Sequence, residues 1–289
     1  MKVLEFHFNP RLKKEGVFET FCFAPETKFE ERLGYLYLIG ELKDIFRQNN
    51  NLLENIAEII KKEYYQKREK SLENCLKDSL QLANEFLSKE LKKENVDWLG
   101  KLNFAAISIS NNFLVKISKI GSLKILLLRN GEIFNVENYA QINTFSENQE
   151  ESSSDFESLN LNMFSGVIEG RLENKDKILA LTKGVFEAFS KETIVQDLAK
   201  TAKLKEIKKI FRKNEKSLRE IYGACLLILL KKEGFLQKRI YLPKMPLFIP
   251  KLLQRIFPQS PNLQQKFSAG LICITILSLL LILGYFIFK

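Results

Sequence analysis

The chain has 289 residues, with 45 Lys or Arg against 35 Asp or Glu and a formal net charge of +10. A single histidine, His7, excludes a multi-histidine zinc site. Cys22, Cys75, Cys225 and Cys273 are far apart and mostly in apolar company, which fits small buried hydrophobes in a reducing compartment and not disulfides or metal ligands.

Short alternating segments open the chain: Lys2–His7, Val17–Ala24 and Leu33–Ile39. Their period of two and their Phe, Tyr, Val and Ile content predict half-buried strands. Met1 leads straight into the first of them, so no cleavable N-terminal signal is expected. Two helices are predicted next. Leu52–Tyr65 places Leu53, Ile56, Ile59 and Ile60 on one face, and Ser71–Leu91 repeats Leu72, Cys75, Leu76, Leu80, Leu82, Phe86 and Leu87. A second group of strands occupies Leu102–Val136, with tight-turn signals at Asn111–Asn112 and Asn130–Gly131. The Asn-Gly pair predicts a type I′ hairpin.

Residues 138–162 are rich in Ser, Asn and Glu and predict a flexible loop. Order returns at Met163–Gly170 and in the strand Asp176–Leu181, followed by helical stretches Val185–Phe189 and Thr193–Leu198. A basic amphipathic helix over Lys203–Glu220, with Leu204, Ile207, Ile210, Phe211 and Leu218 on one side, leads to the buried strand GACLLILL. Strands that connect through tight turns pair antiparallel, so the fold class is α+β and a doubly wound parallel sheet is disfavoured.

Residues 234–266 form a basic, proline-containing stretch, and residues 267–288, from Phe267 to Phe288, are one apolar run without a charge. A helix of that length crosses the roughly 30 Å hydrocarbon core. The run is therefore expected to be a C-terminal transmembrane helix, with the preceding stretch as a juxtamembrane linker. Between Lys231 and Lys266, Lys and Arg far outnumber Glu233, the only acid, which keeps that side cytoplasmic. The expectation is a single-pass protein of the cell membrane with a cytoplasmic N-terminal domain. Anionic headgroups explain the local positive charge more economically than phosphodiesters, so the lipid bilayer is the expected partner and nucleic acid is not.

Four segments, in order, carry a resemblance. LGYLYLIGEL is similar to a strand running into an Asp-Gly metal motif, and SLENCLKDSLQLANEFLSKE, with its Ala83–Asn84 pair, to a long second helix. NFAAISISNNFLVKISKIGSLKILLLRNGEIFNV looks like a set of central hairpins, and DKILALTKGVFEAFSKETI like the stretch ending in Ser-Asp-Gly before a helix. Together they resemble the metal-dependent Ser/Thr protein phosphatase family, type 2C or PPM, over residues 1–233. The resemblance implies a sandwich of two antiparallel sheets with helices on each outer face. It also implies a reaction in which two Mn²⁺ or Mg²⁺ ions, held by carboxylates, activate water and clamp the phosphoryl group.

The sequence departs from the family where metals would be held. By the resemblance, Asp-Gly is replaced by Glu41–Leu42, Gly-Asp-Ser-Arg by Gly121-Ser122-Leu123-Lys124, and Ser-Asp-Gly by Thr182-Lys183-Gly184. The late Asp-Asn pair is replaced within Tyr222-Gly223-Ala224-Cys225, and only Glu19 or Glu26 is available for the early acid. Glu41, Ser122 and Lys183 are thus degenerate metal-site positions, no catalytic residue is assigned, and no metal is expected. Two arrangements are open: an ion pair between Lys183 and Glu41, or Lys183 in solvent with Glu41 unpaired. The expected function is that of a membrane-anchored, inactive pseudophosphatase that binds a protein partner at the cytoplasmic face. One alternative is an active Mn²⁺- or Mg²⁺-dependent phosphatase whose site is rebuilt from Glu41 with Asp44, Glu169 or Asp176. The other is an unrelated membrane-anchored α+β interaction domain.

Overall fold

The computed structural model describes residues 1–8, 16–43, 51–66, 74–93, 96–138, 162–164, 166–201, 203–219, 221–231 and 245–246. Met1–Leu247 make one compact unit, and the second unit, Phe248–Lys289, lies outside the described residues. The apolar run from Phe267 to Phe288 and the loop expected at 138–162 therefore fall wholly or almost wholly outside them. No helix among the described residues is long and apolar enough to cross a membrane.

Two sheets form the centre. The first holds β1 (Lys2–Phe8), β6 (Lys124–Arg129), β7 (Glu132–Asn135), β9 (Lys177–Leu181), β10 (Gly223–Leu229) and β11 (Met245–Pro246), in the order β11-β1-β10-β9-β6-β7. The second holds β2 (Gly16–Phe23), β3 (Tyr35–Lys43), β4 (Leu102–Ile109), β5 (Leu114–Ile120) and β8 (Ile168–Arg171), in the order β2-β3-β4-β5-β8. All the ladders are antiparallel except β11 on β1, where Phe6 faces Met245 and His7 faces Pro246. Part of the stretch expected as linker thus adds an edge strand to the first sheet. The hairpin between β6 and β7 turns through Asn130 and Gly131, both at positive φ (53° and 90°), as a type I′ turn requires.

The alternation of β3 sorts its side chains. Tyr37 and Ile39 enter the core between the sheets with Ile107, Ile117, Ile178, Leu226 and Ile228. Leu36, Leu38 and Leu42 face the other way, into a second core with α2 (Leu52–Gln66) and α3 (Cys75–Lys92). The strand expected to be half-buried is buried on both faces, because a helical layer covers the face the sequence left to water. Gly40 lies on the helix-facing side. A Cβ there would meet Leu53 at 2.8 Å and Phe104 at 2.9 Å, so the glycine lets α2 close onto the sheet.

Several boundaries differ from expectation. Leu33 ends a single helical turn, α1 (Glu30–Leu33), and does not start a strand, since Gly34 at φ 84° turns the chain before β3 begins. In α3 the buried face is Cys75, Leu76, Ser79, Leu80, Ala83, Asn84 and Leu87, while Leu82 and Phe86 are only half-buried. Asn84 is on that face because its amide bonds the Phe164 backbone, donating to the carbonyl at 3.5 Å and accepting from the N–H at 3.0 Å. Against the outer face of the first sheet lie α4 (Lys183–Lys191), α5 (Ile194–Lys200), α6 (Leu204–Lys213) and α7 (Glu215–Leu218), joined to it through Phe6–Phe211 and Phe8–Phe189 ring contacts. The single amphipathic helix expected over Lys203–Glu220 breaks at Asn214, whose side chain donates to the Ile210 carbonyl.

Candidate functional site

The register brings several segments to one end of the sandwich. Lys43 pairs with Gly16, Leu42 with Leu102, Phe104 with Ile120, and Leu181 with both Lys124 and Cys225. Glu41 and the Gly121-Ser122 turn therefore share an end with Thr182-Lys183-Gly184 and Tyr222-Gly223.

Glu41 and Ser122 are brought together through Asn103, which sequence reasoning missed. Asn103 pairs with Glu41 across β3 and β4 and donates to its carboxylate at 3.4 Å. Its Oδ1 accepts from the Ser122 backbone N–H at 2.7 Å and from the Ser122 hydroxyl at 3.1 Å. Gly121 is at φ 74°, and a Cβ there would meet Asn103 Oδ1 at 2.3 Å, so a glycine is needed for the turn to sit on the amide. Glu41 is 2% exposed, and its ionic partner is Lys43 at 3.6 Å. Burial pushes the Glu41 carboxyl above the ordinary carboxylate range, and the Lys43 ammonium offsets part of that rise.

Lys183 stands apart. It is exposed at the start of α4 and its ammonium lies 3.9 Å from Glu187, one helical turn on. Of the two open arrangements, the Lys183–Glu41 ion pair is therefore absent, and two local pairs stand in its place. Each lysine reaches an acid close to it in sequence, which costs less side-chain ordering than a reach across the sheets. The alternative arrangement holds for Lys183, which faces solvent, and not for Glu41, which has Lys43. Thr182, the residue before Lys183, accepts a hydrogen bond at 3.2 Å from the Ala224 N–H.

Aromatic side chains fill the mouth between the sheets. Phe18 lies directly across from Glu41 on β2 and meets the Tyr222 ring edge-on at 4.8 Å, while His7 meets Phe18 edge-on at 5.5 Å. The Tyr222 hydroxyl donates to the Gly16 carbonyl. Beneath them Thr20 donates to Glu5 at 2.5 Å, so its oxygen is left to accept from His7 Nε2 at 2.9 Å. His7, the lone histidine, is thus a polar tie between the two sheets.

Among the described residues, the acids named as alternative ligands do not join Glu41. Glu169 pairs with Lys116 at 2.8 Å, and Asp176 takes Arg129 at 2.6 Å at the other end of β9. Glu26 lies in the loop before α1, its N–H held by Glu30, and Glu19 alternates away from Phe18 and Thr20 on β2; Asp44 lies outside the described residues. Among the described residues no group of three His, Cys, Asp or Glu side chains is gathered to hold a metal. One buried carboxyl, an amide and a hydroxyl beside an ammonium do not fit a pair of divalent cations, which need several carboxylate oxygens.

No family profile matches the chain, and no curated protein matches it in sequence. Solved structures do match in fold. Against Stp1, a serine/threonine phosphatase of Staphylococcus aureus, the TM-score is 0.55 at 13% identity over 81% of this chain and 96% of that chain. The serine/threonine phosphatase of S. agalactiae gives 0.52 at 12% identity over 80% and 98%, respectively. The PP2C phosphatase domain of SpoIIE from Bacillus subtilis, with a fragment of its regulatory domain, gives 0.51 at 11% identity over 79% and 63%. The chain therefore has the fold of the type 2C, or PPM, Ser/Thr phosphatases. The two-sheet sandwich removes the ground for the alternative of an unlike α+β domain.

Proposed function

We propose that this is a membrane-anchored PPM-type phosphatase-like domain without phosphatase activity, held on the cytoplasmic face of the cell membrane as a binding or regulatory module for a protein partner. The observation that carries the reading is the setting of Glu41. It is buried against Lys43 and Asn103, with Phe18 opposite, where the family's chemistry needs several exposed carboxylates around two cations. Needing neither Mn²⁺ nor Mg²⁺, such a domain acts through its surface.

The test is calorimetric titration of Mn²⁺ into the full chain in lipid nanodiscs, with hydrolysis of a phosphopeptide followed on the same sample. Absence of both binding heat and turnover at millimolar metal is expected. Stoichiometric binding with metal-dependent turnover would establish the active-phosphatase alternative in its place.

A further inference from the structure

We propose that the outer face of α6 docks on the phosphate backbone of a nucleic acid, held by a row of cations and without regard to base sequence. The proposal does not depend on the membrane-anchored reading above. The expectation against nucleic acid rested on the basic stretch 234–266, and this face belongs to the domain itself.

The row follows from the spacing. Lys205, Lys208, Lys209, Arg212 and Lys213 stand at i, i+3, i+4, i+7 and i+8, so they share one face of the helix. All but the half-buried Lys208 are exposed. Ile207 and Phe211 are buried on the opposite face. The Phe211 ring fastens that face to the domain, 4.1 Å from Phe6 and 5.7 Å from Phe189. The cations are thus presented by a seated helix along about 12 Å of its axis. Lys216 is exposed in α7, the helical turn that follows.

Most of this charge is uncompensated. Between Lys200 and Glu220 nine Lys or Arg stand against Glu206, Glu215 and Glu220. Glu206 accepts from Thr201 and lies 3.4 Å from Lys203, with the Lys209 charge also acting on it. Glu215 pairs with Arg219 at 3.0 Å, and Glu220 lies outside the described residues. On α4, on α5 and in the turn between them the acids are Glu187, Glu192 and Asp197. The first is 3.9 Å from Lys183, and the other two are half-buried beside the exposed Lys191 and Lys200. Lys205, Lys208, Arg212 and Lys213 have no ion pair among the described residues.

The surroundings favour a polyanion. The exposed large apolar side chains among the described residues, Val96, Leu99, Leu114 and Ile133, all lie on other elements. This face therefore lacks the apolar and aromatic anchors of a protein interface, where lysine is depleted. It also has no side chain to insert into a bilayer, as interfacial helices do. A duplex presents one charge per roughly 1.7 Å of axis, a dense line that a narrow row of cations matches. Asn214, the one side-chain amide in Lys203–Arg219, donates to the Ile210 carbonyl at 3.0 Å. Lysines and one arginine remain, which grip phosphates and read little of the bases.

The full chain in phosphatidylcholine nanodiscs is titrated into a fluorescein-labelled DNA duplex, and anisotropy is followed over a salt series. With about five phosphates neutralised, log K is expected to fall against log salt with a slope of about −4.5, whatever the base sequence. Lys205→Gln with Lys209→Gln and Arg212→Gln, checked for folding by circular dichroism, is expected to bring the slope to about −2 and to weaken binding at low salt by more than about tenfold. Lys62→Gln with Lys77→Gln and Lys89→Gln removes the same charge from exposed positions on α2 and α3 and is expected to bind like the parent. Absence of binding by the parent at low salt would overturn the proposal. So would equal losses in the two triple variants, which would leave net charge as the cause. Displacement of the duplex by phosphatidylserine vesicles or by polyglutamate, at a lower concentration of charge than unlabelled duplex requires, would also overturn it and give the face to a bilayer or an acidic protein.

Discussion

Phe18 of the second sheet and Tyr222, the residue before β10 of the first, meet edge to face, ring centroids 4.8 Å apart, across the mouth of the sandwich. The two rings, with His7 and the Tyr222–Gly16 hydrogen bond, close the space between the sheets at the end that holds Glu41. A cleft lined for hydrated cations would need acids there, and this chain has a small aromatic cluster.

That cluster is expected to stabilise the domain. Phe18 is only half-buried, so Phe18→Ala should cost about 2 kcal/mol, below the range for fully buried aromatics. Urea unfolding would measure it. A cost near zero would mean that the rings fill the mouth without holding the sheets together.

Glu41 predicts a pH dependence of the opposite sign to most carboxylates. Burial raises its folded pKa above the unfolded value, so the folded state holds the proton more tightly. Stability is then greatest below the unfolded pKa and falls as pH rises through the folded one. Glu41→Gln removes the buried charge and keeps a group able to accept from Asn103. It should gain about 1 kcal/mol at neutral pH and nothing below about pH 4. A variant less stable than the parent at neutral pH would show that the Lys43 pair outweighs the cost of burial.

Glu137 titrates the other way. Burial works against its ionisation, but hydrogen bonds from Lys119, Lys124 and Asn135 and the Lys119 charge hold its pKa down at about 2. Its stabilisation is present above the unfolded carboxylate pKa and is lost as pH falls toward the folded value. Both lysines are partly exposed, so after solvent screening Glu137→Gln should cost about 1 kcal/mol above pH 5 and nothing near pH 2. Thermal melts of the two proteins across that range, converging only at low pH, are the expected result.

The sandwich was legible because strand alternation, Asn-Gly chemistry and the order of elements agree at each level. The Asn130–Gly131 hairpin and the antiparallel ladder of β4 on β5 across the Asn111–Asn112 turn are direct readings of it. The site was legible only in part. Glu41 and Ser122 proved to be neighbours, but the link is Asn103, whose side chain in a run of apolar residues gives no sign of its partners. Both arrangements stayed open for Lys183, since nothing in its local sequence distinguishes a reach across the sheets from the solvent-facing position beside Glu187 that it takes. The aromatic closure is non-local: His7 lies on β1, Phe18 on β2 and Tyr222 just before β10, and only the register brings them together.

Lys177 was read only as part of a strand, yet it is one of the most consequential polar residues of the fold. It is 4% exposed, and its ammonium donates to the carbonyls of Leu198, Ala199 and Thr201 at 2.7, 2.9 and 2.6 Å. Those carbonyls lie at and just beyond the C-terminal end of α5, where backbone acceptors have no partner within the helix and where positive charge is favoured by the helix dipole. The lysine thus fastens α5 to β9. Lys177→Met keeps the length of the side chain and removes all three donors, leaving buried acceptors unpaired, and should cost about 3 kcal/mol. The loss should appear in hydrogen exchange first, as faster opening of the Ile194–Lys200 amides than of the β9 and β10 ladder. A cost below about 1 kcal/mol would mean that water replaces the ammonium at the three carbonyls.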